Sequence, residues 1–129
     1  SYKHAETEID KFMPVSRRGD SNTYCSSLIR FSDARIRSAR NIEELQNLIS
    51  SRYMKVNLKA YSRHKTVEFR QHSGTISFTK MENWVRFLDR MIAFASVSAL
   101  PTGVRLENFP FFGEKQKLYY KLRTKKLAV

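Results

Sequence analysis

The sequence predicts an α+β fold: an antiparallel sheet with a central hairpin, packed on one side by helices. Three observations carry that expectation. Arg52 to Tyr61 alternates, with Met54, Val56, Leu58 and Ala60 of one parity and Tyr53, Lys55, Asn57, Lys59 and Tyr61 of the other, the pattern of a half-buried strand. Lys65 to Gln71 repeats it, Val67 and Phe69 apolar against Thr66, Glu68 and Arg70, across the polar connection Ser62-Arg63-His64-Lys65. Downstream, Met81, Trp84, Val85, Leu88, Met91, Ile92 and Ala95 form one stripe of a helix over about 80–98, suited to pack on the apolar face of the hairpin.

The other elements follow in order. Ala5, Ile9, Phe12 and Met13 mark a short helix over 1–13 that Pro14 ends. Residues 14–27 are rich in Ser, Gly, Asp and Asn and read as a loop, in which Arg17 and Arg18 are either solvated or contact an anion. Leu28, Ile29, Phe31 and Ile36 form a structured piece broken at Ser32 and Asp33. Asn41 offers an N-cap, with Glu43 and Glu44 in the first turn, for a helix over about 42–51 built on Ile42, Leu45, Leu48 and Ile49. Ser73-Gly74-Thr75 breaks the second strand, and Thr79 with Glu82 makes a capping-box signature. Leu100 to Gly103 is a stop, and Leu106, Phe109, Phe111 and Phe112 pin the loop that follows. A last helix runs over about 114–127, with Leu118, Tyr119 and Leu122 facing inward.

Length and composition bound the function. The 129 residues, 41% hydrophobic and 12% aromatic, suit one domain over 1–129 with a real core. No apolar run reaches the roughly 18 residues of a membrane span, so no membrane is expected, and SYKHAETEID has no signal-peptide core. The single cysteine, Cys25, excludes an internal disulfide and fits a reducing, cytoplasmic compartment. His4, His64 and His72 show no metal-ligand spacing. A net charge of +12, from 24 basic against 12 acidic residues, predicts an anionic partner: nucleic acid, a nucleotide phosphate or an acidic substrate.

On the hairpin, Asn57, Glu68, Arg70 and His72 share the polar face, the best candidate for chemistry in the chain. Glu68 and Arg70 are two apart on a strand, so both reach the same side about 7 Å apart along the chain. A carboxylate there can hold Mg²⁺, and an Arg beside it can grip a phosphate and offset charge built up in phosphoryl transfer. Alternation alone is equally an ordinary cross-strand ion pair on a solvated sheet face.

RYMKVNLKAY, TVEFRQHSGT and the Trp84 helix together resemble the amidoligase family of bacteria, phages, plasmids and fungi. The matching positions are Arg52, Tyr53, Asn57, Thr66, Glu68, Phe69, Arg70, His72, Gly74, Thr75 and Trp84. Pro14, Ser16, Arg17, Tyr24 and Cys25 upstream, and Tyr120 and Arg123 near the end, are also similar to the family, so the likeness spans about residues 12–126. The resemblance implies a glutamine-synthetase-like fold and an ATP- and Mg²⁺-dependent ligase that joins a carboxylate to an amine through an acyl phosphate. It implies Glu68 and Arg70 as catalytic, Glu68 as the metal ligand, and Arg17, Arg52, Asn57, His72 and Thr75 as substrate- or phosphate-binding groups. Family members are about twice as long, so the chain is expected to be the C-terminal half of a ligase, incomplete or inactive alone. The competing expectations are a nucleic-acid-binding module using Arg17, Arg18, Lys121, Arg123, Lys125 and Lys126, and a purely structural or interaction domain.

Overall fold

A computed structural model describes residues 1–129 as six α-helices and one two-stranded antiparallel sheet. In order these are α1 (Tyr2–Asp10), α2 (Asp33–Ser38), α3 (Ile42–Leu48), β1 (Val56–Asn57), α4 (Ala60–His64), β2 (Glu68–Phe69), α5 (Phe78–Ala95) and α6 (Glu114–Lys126). Single 3₁₀ turns lie at Val15–Arg17 and Leu106–Asn108. No helix is long and apolar enough to cross a membrane. Contacts divide the chain into two compact units, Ser16–Gln71 and a second made of Ser1–Val15 with His72–Val129.

The Ser16–Gln71 unit contains the sheet. Its antiparallel pairing sets Val56 opposite Phe69 and Asn57 opposite Glu68, so the two runs expected to be adjacent antiparallel strands do pair. The strands are far shorter than the expected Arg52–Tyr61 and Lys65–Gln71, and the connection is α4 rather than a turn. Ala60 and Tyr61 lie inside that helix, which ends on Lys65 in the left-handed conformation (φ 57°). The solvated polar face is also corrected: Lys55 and Asn57 are as buried as Met54, Val56 and Leu58, whereas Val67 is exposed. A neighbouring segment adds backbone pairing at the edge just before β1. Ser26 bridges Met54 in parallel, its amide donating to Tyr53 O (2.7 Å) and its carbonyl accepting from Lys55 N (2.9 Å). Asn41 caps α3 as expected, its Oδ1 accepting from Glu44 N (2.9 Å). Ser32 and Asp33 start α2 instead of breaking it: Ser32 Oγ accepts from Arg35 N (3.2 Å) and Asp33 sits in the first turn.

The second unit is built on aromatic packing. Ala5, Ile9, Phe12 and Met13 are buried, as the spacing over 1–13 requires. Phe87 is the hub: its ring lies within 6.3 Å of the rings of Phe12, Trp84, Phe111, Phe112 and Tyr120. The buried face of α5 is Trp84, Phe87 and Met91, while Met81, Val85 and Ile92 are exposed, so the expected stripe is rotated by about one position around the helix. Its cap is Ser77, whose Oγ accepts from Lys80 N (3.4 Å), not Thr79. On α6, Gln116 and Tyr120 are buried, and Leu118 and Leu122, expected inward, are exposed.

Candidate functional site

The site in the Ser16–Gln71 unit is assembled by three segments lying side by side. Residue 26 pairs with 54, and the main chain continues the sheet where Arg70 N donates to Lys55 O (2.8 Å). These bonds bring Tyr24, Tyr53, Asn57, Glu68 and Arg70 together.

Arg70 is held from several sides. Its Nη1 donates to Glu68 Oε1 (2.8 Å) and its Nε to the carbonyl of Tyr24 (3.1 Å), and its guanidinium lies 5.8 Å from the centre of the Tyr53 ring. The second carboxylate oxygen of Glu68 accepts from Asn57 Nδ2 (3.1 Å), and Asn57 Oδ1 in turn accepts from Lys59 N (3.0 Å). Asn57 and Glu68 are directly opposite in the ladder, so the contact is a cross-strand pair. The guanidinium is therefore fixed, with its side chain 25% exposed and its Nη2 donors not committed to these partners. A planar fork immobilised in this way loses little entropy when it binds an anion.

Arg17 supports the site by its main chain and side chain. Its Nη1 donates to the carbonyl of Arg70 (3.1 Å), and its own carbonyl accepts from Gln71 Nε2 (3.2 Å), with Gln71 fully buried. The loop between Arg17 and Tyr24 is shaped by Asp20, which accepts from Ser27 N (2.7 Å) and Arg30 Nη2 (2.8 Å). The Ser27 amide, and after it the Arg30 guanidinium, hold the Asp20 carboxyl below the usual carboxylate range, against an opposing cost of burial. Arg52 is exposed and stacks on Tyr53, 4.8 Å from the ring centre, with its guanidinium also donating to the Tyr53 hydroxyl.

Of the expected site residues, Arg17, Asn57, Glu68 and Arg70 thus form one connected network. Arg52 touches it through Tyr53. His72 and Thr75 belong to the other compact unit. There His72 packs against Trp84, ring centres 5.2 Å apart, with Nδ1 2.7 Å from Ser73 O, and Thr75 Oγ1 accepts from Ser77 N (3.1 Å). Tyr24 and Tyr53, named among the positions of the family likeness but not among the expected site residues, complete the surroundings of Arg70. Tyr24 contributes a backbone carbonyl, which no residue type reports, and Tyr53 precedes the strand pair.

The donor set does not by itself fit a magnesium ion. No group of three or more His, Cys, Asp or Glu comes together, and both oxygens of Glu68 already accept hydrogen bonds. Magnesium demands six oxygen donors in near-octahedral array, usually including one or two carboxylates. What the arrangement can do is present an oriented guanidinium to an anion.

No match was found among curated proteins or among solved structures. A family model described as "Putative amidoligase enzyme" matches residues 2–92. That span covers most of the chain and contains α1, the whole Glu68–Arg70 network and the larger part of α5. The chain belongs to the amidoligase family.

Proposed function

We propose that the chain is the C-terminal half of an ATP-dependent carboxylate–amine ligase of glutamine-synthetase-like type, with Arg70 as its phosphate grip. The implied reaction passes the γ-phosphoryl group of ATP to a carboxylate oxygen, releasing ADP. The amine nitrogen then attacks the acyl carbon, phosphate leaves, and the nitrogen loses a proton to give the amide. In both steps negative charge accumulates on phosphoryl oxygens, and a pre-oriented guanidinium there needs no reorganisation as it does so.

The observation that carries the reading is the fixing of Arg70 by Glu68 and the Tyr24 carbonyl, in a chain of this family. Glu68, tied down by Asn57, sets the plane of the guanidinium. Arg17 positions the backbone at Arg70. Arg52, His72 and Thr75 carry over from the family motif as substrate- or phosphate-binding groups. Magnesium accompanies ATP in such ligases, and its further ligands would come from outside this donor set. Nucleic-acid binding is the alternative, and its support is the run of Lys and Arg on α6.

The test is amine-dependent ADP release by a protein containing this chain, beside Arg70→Ala and Glu68→Gln. Each change lowers turnover by more than about tenfold, a loss of about 1.4 kcal/mol of transition-state stabilisation. Parent-like turnover in both folded variants makes the pair an ordinary surface ion pair and removes the reading.

A further inference from the structure

A second cationic site lies in the other unit, apart from Glu68 and Arg70. A cavity of about 270 Å³ opens between the start of α5 and the last turns of α6. It is lined by Ser77, Thr79, Lys80, Tyr119, Leu122, Arg123 and Lys126. Three of these are cations and none is a carboxylate. Lys80, Arg123 and Lys126 form no salt bridge, in a unit where Lys11, Arg86 and Lys117 each have a carboxylate partner. Arg123 is nonetheless held in place, its Nε donating to Phe12 O (3.1 Å).

Gathering like charges around a concavity raises the local potential and draws in counter-ions, so uncompensated cations in one cavity point to an anionic ligand. The neighbouring cavity of about 610 Å³ contrasts with it. There Arg86, Arg90 and Lys115 are accompanied by Glu82 and Glu114, and Arg86 is paired to Glu82 at 3.0 Å. The smaller cavity holds three cations and no carboxylate, against three cations and two carboxylates in the larger.

We propose that this cavity binds the phosphate group of a small organic phosphomonoester. A monoester carries about −1.5 to −2 charge at pH 7, which suits several cations better than the single charge of a diester. Drug-sized ligands occupy about 300–1,000 Å³, so the cavity admits a phosphate with a small body and not an extended chain. Tyr119 and Leu122 supply apolar wall for that body, and the hydroxyls of Ser77 and Thr79 supply further hydrogen-bonding groups. The proposal is independent of the ligase reading, which places its phosphate at Arg70.

The experiment is a titration of the full chain with phenyl phosphate, followed by amide chemical shifts. Saturable shifts confined to residues 77–80 and 119–126 are expected. Lys80→Gln and Lys126→Gln each weaken binding about tenfold, equivalent to about 1.4 kcal/mol. Lys115→Gln, in the larger cavity, leaves binding unchanged. Shifts spread without saturation over the basic surface overturn the proposal, as do shifts centred on Arg70. A response only to a single-stranded oligonucleotide, with strong salt dependence, also overturns it and assigns the surface to nucleic acid. A response only to phosphatidylglycerol vesicles overturns it in favour of a lipid surface.

Discussion

At the residue scale, two groups turn local chemistry into measurable behaviour. Tyr120 is buried with no partner for its hydroxyl, and Thr124, one helical turn on, is in the same position. Burial first, and the neighbouring Tyr119 phenol second, raise the proton affinity of Tyr120, with Arg123 acting the other way, so its ring stays neutral. An unmet buried hydroxyl costs about 1–3 kcal/mol. Tyr120→Phe keeps the stacking on Phe112 (5.4 Å, 14°) and removes that cost. The expected result is a folding stability in urea that is unchanged or higher, by up to about 3 kcal/mol; a clear loss would show that the hydroxyl does have a partner. Asp20 gives a pH dependence. Its folded pKa lies below its unfolded value, so its contribution is complete above about pH 4 and is lost as pH falls through the folded value. Asp20→Asn is therefore less stable than the parent at pH 7, and the two denaturation curves converge in acid. A constant gap from pH 7 to pH 2 would contradict this. The same residue scale shows what sequence could report of the site. Glu68 and Arg70 share strand parity, and their side chains do meet at 2.8 Å. The Tyr24 carbonyl, 46 residues away in sequence from Arg70, carries no side-chain signal and was not legible.

At the element scale, α5 shows why periodicity locates a helix better than it orients one. Its apolar residues cover two faces, so spacing marks a helix over about 80–98 against the observed Phe78–Ala95 without deciding which face is inward. The choice falls to Phe87, whose aromatic neighbours include Phe12 just after α1, Tyr120 of α6 and Phe111 and Phe112 of the following loop. Phe87→Ala is expected to cost about 3–5 kcal/mol by opening a cavity at the hub. Val85→Ala, on the exposed face, is expected to stay within about 0.5 kcal/mol. Thermal or urea unfolding of the pair reads the rotation of the helix directly, and equal costs would restore the orientation inferred from spacing. The α6 amphipathicity fails for a related reason: its buried positions are Gln116 and Tyr120, and the glutamine is retained by hydrogen bonds to Arg90 (3.2 Å) and the Asn83 carbonyl (3.3 Å). A hydropathy pattern cannot anticipate a buried amide that is satisfied by a neighbouring helix. At the head of the same helix, a Cβ at Gly113 would meet Arg90 Nη1 at 2.7 Å, so that close approach requires glycine or a displaced Arg90. The sheet failed in length, not in pairing: two residues per strand suffice because Ser26 supplies backbone partners beside Met54.

At the scale of the whole molecule, the family match ends at residue 92, yet the packing of α5 depends on residues beyond it, Phe111, Phe112 and Tyr120. Aromatic anchoring of the 104–113 loop was legible from composition, but its partner was not, because nothing local names Phe87. The division into one continuous unit and one made of two segments was not read from the sequence either: the loop over 14–27 and the Ser73-Gly74-Thr75 break lie at its boundaries, but neither says that the segments on its far sides belong together. That discontinuity has a consequence for birth at the ribosome. The apolar stripe of α1 and the residues just after it, Ala5, Ile9, Phe12 and Met13, emerges well before groups that contact this segment, Phe87, the Leu106 amide and Arg123. At about 5–20 residues per second, the nascent chain carries that stripe without these partners for several seconds, while the continuous Ser16–Gln71 segment is already complete.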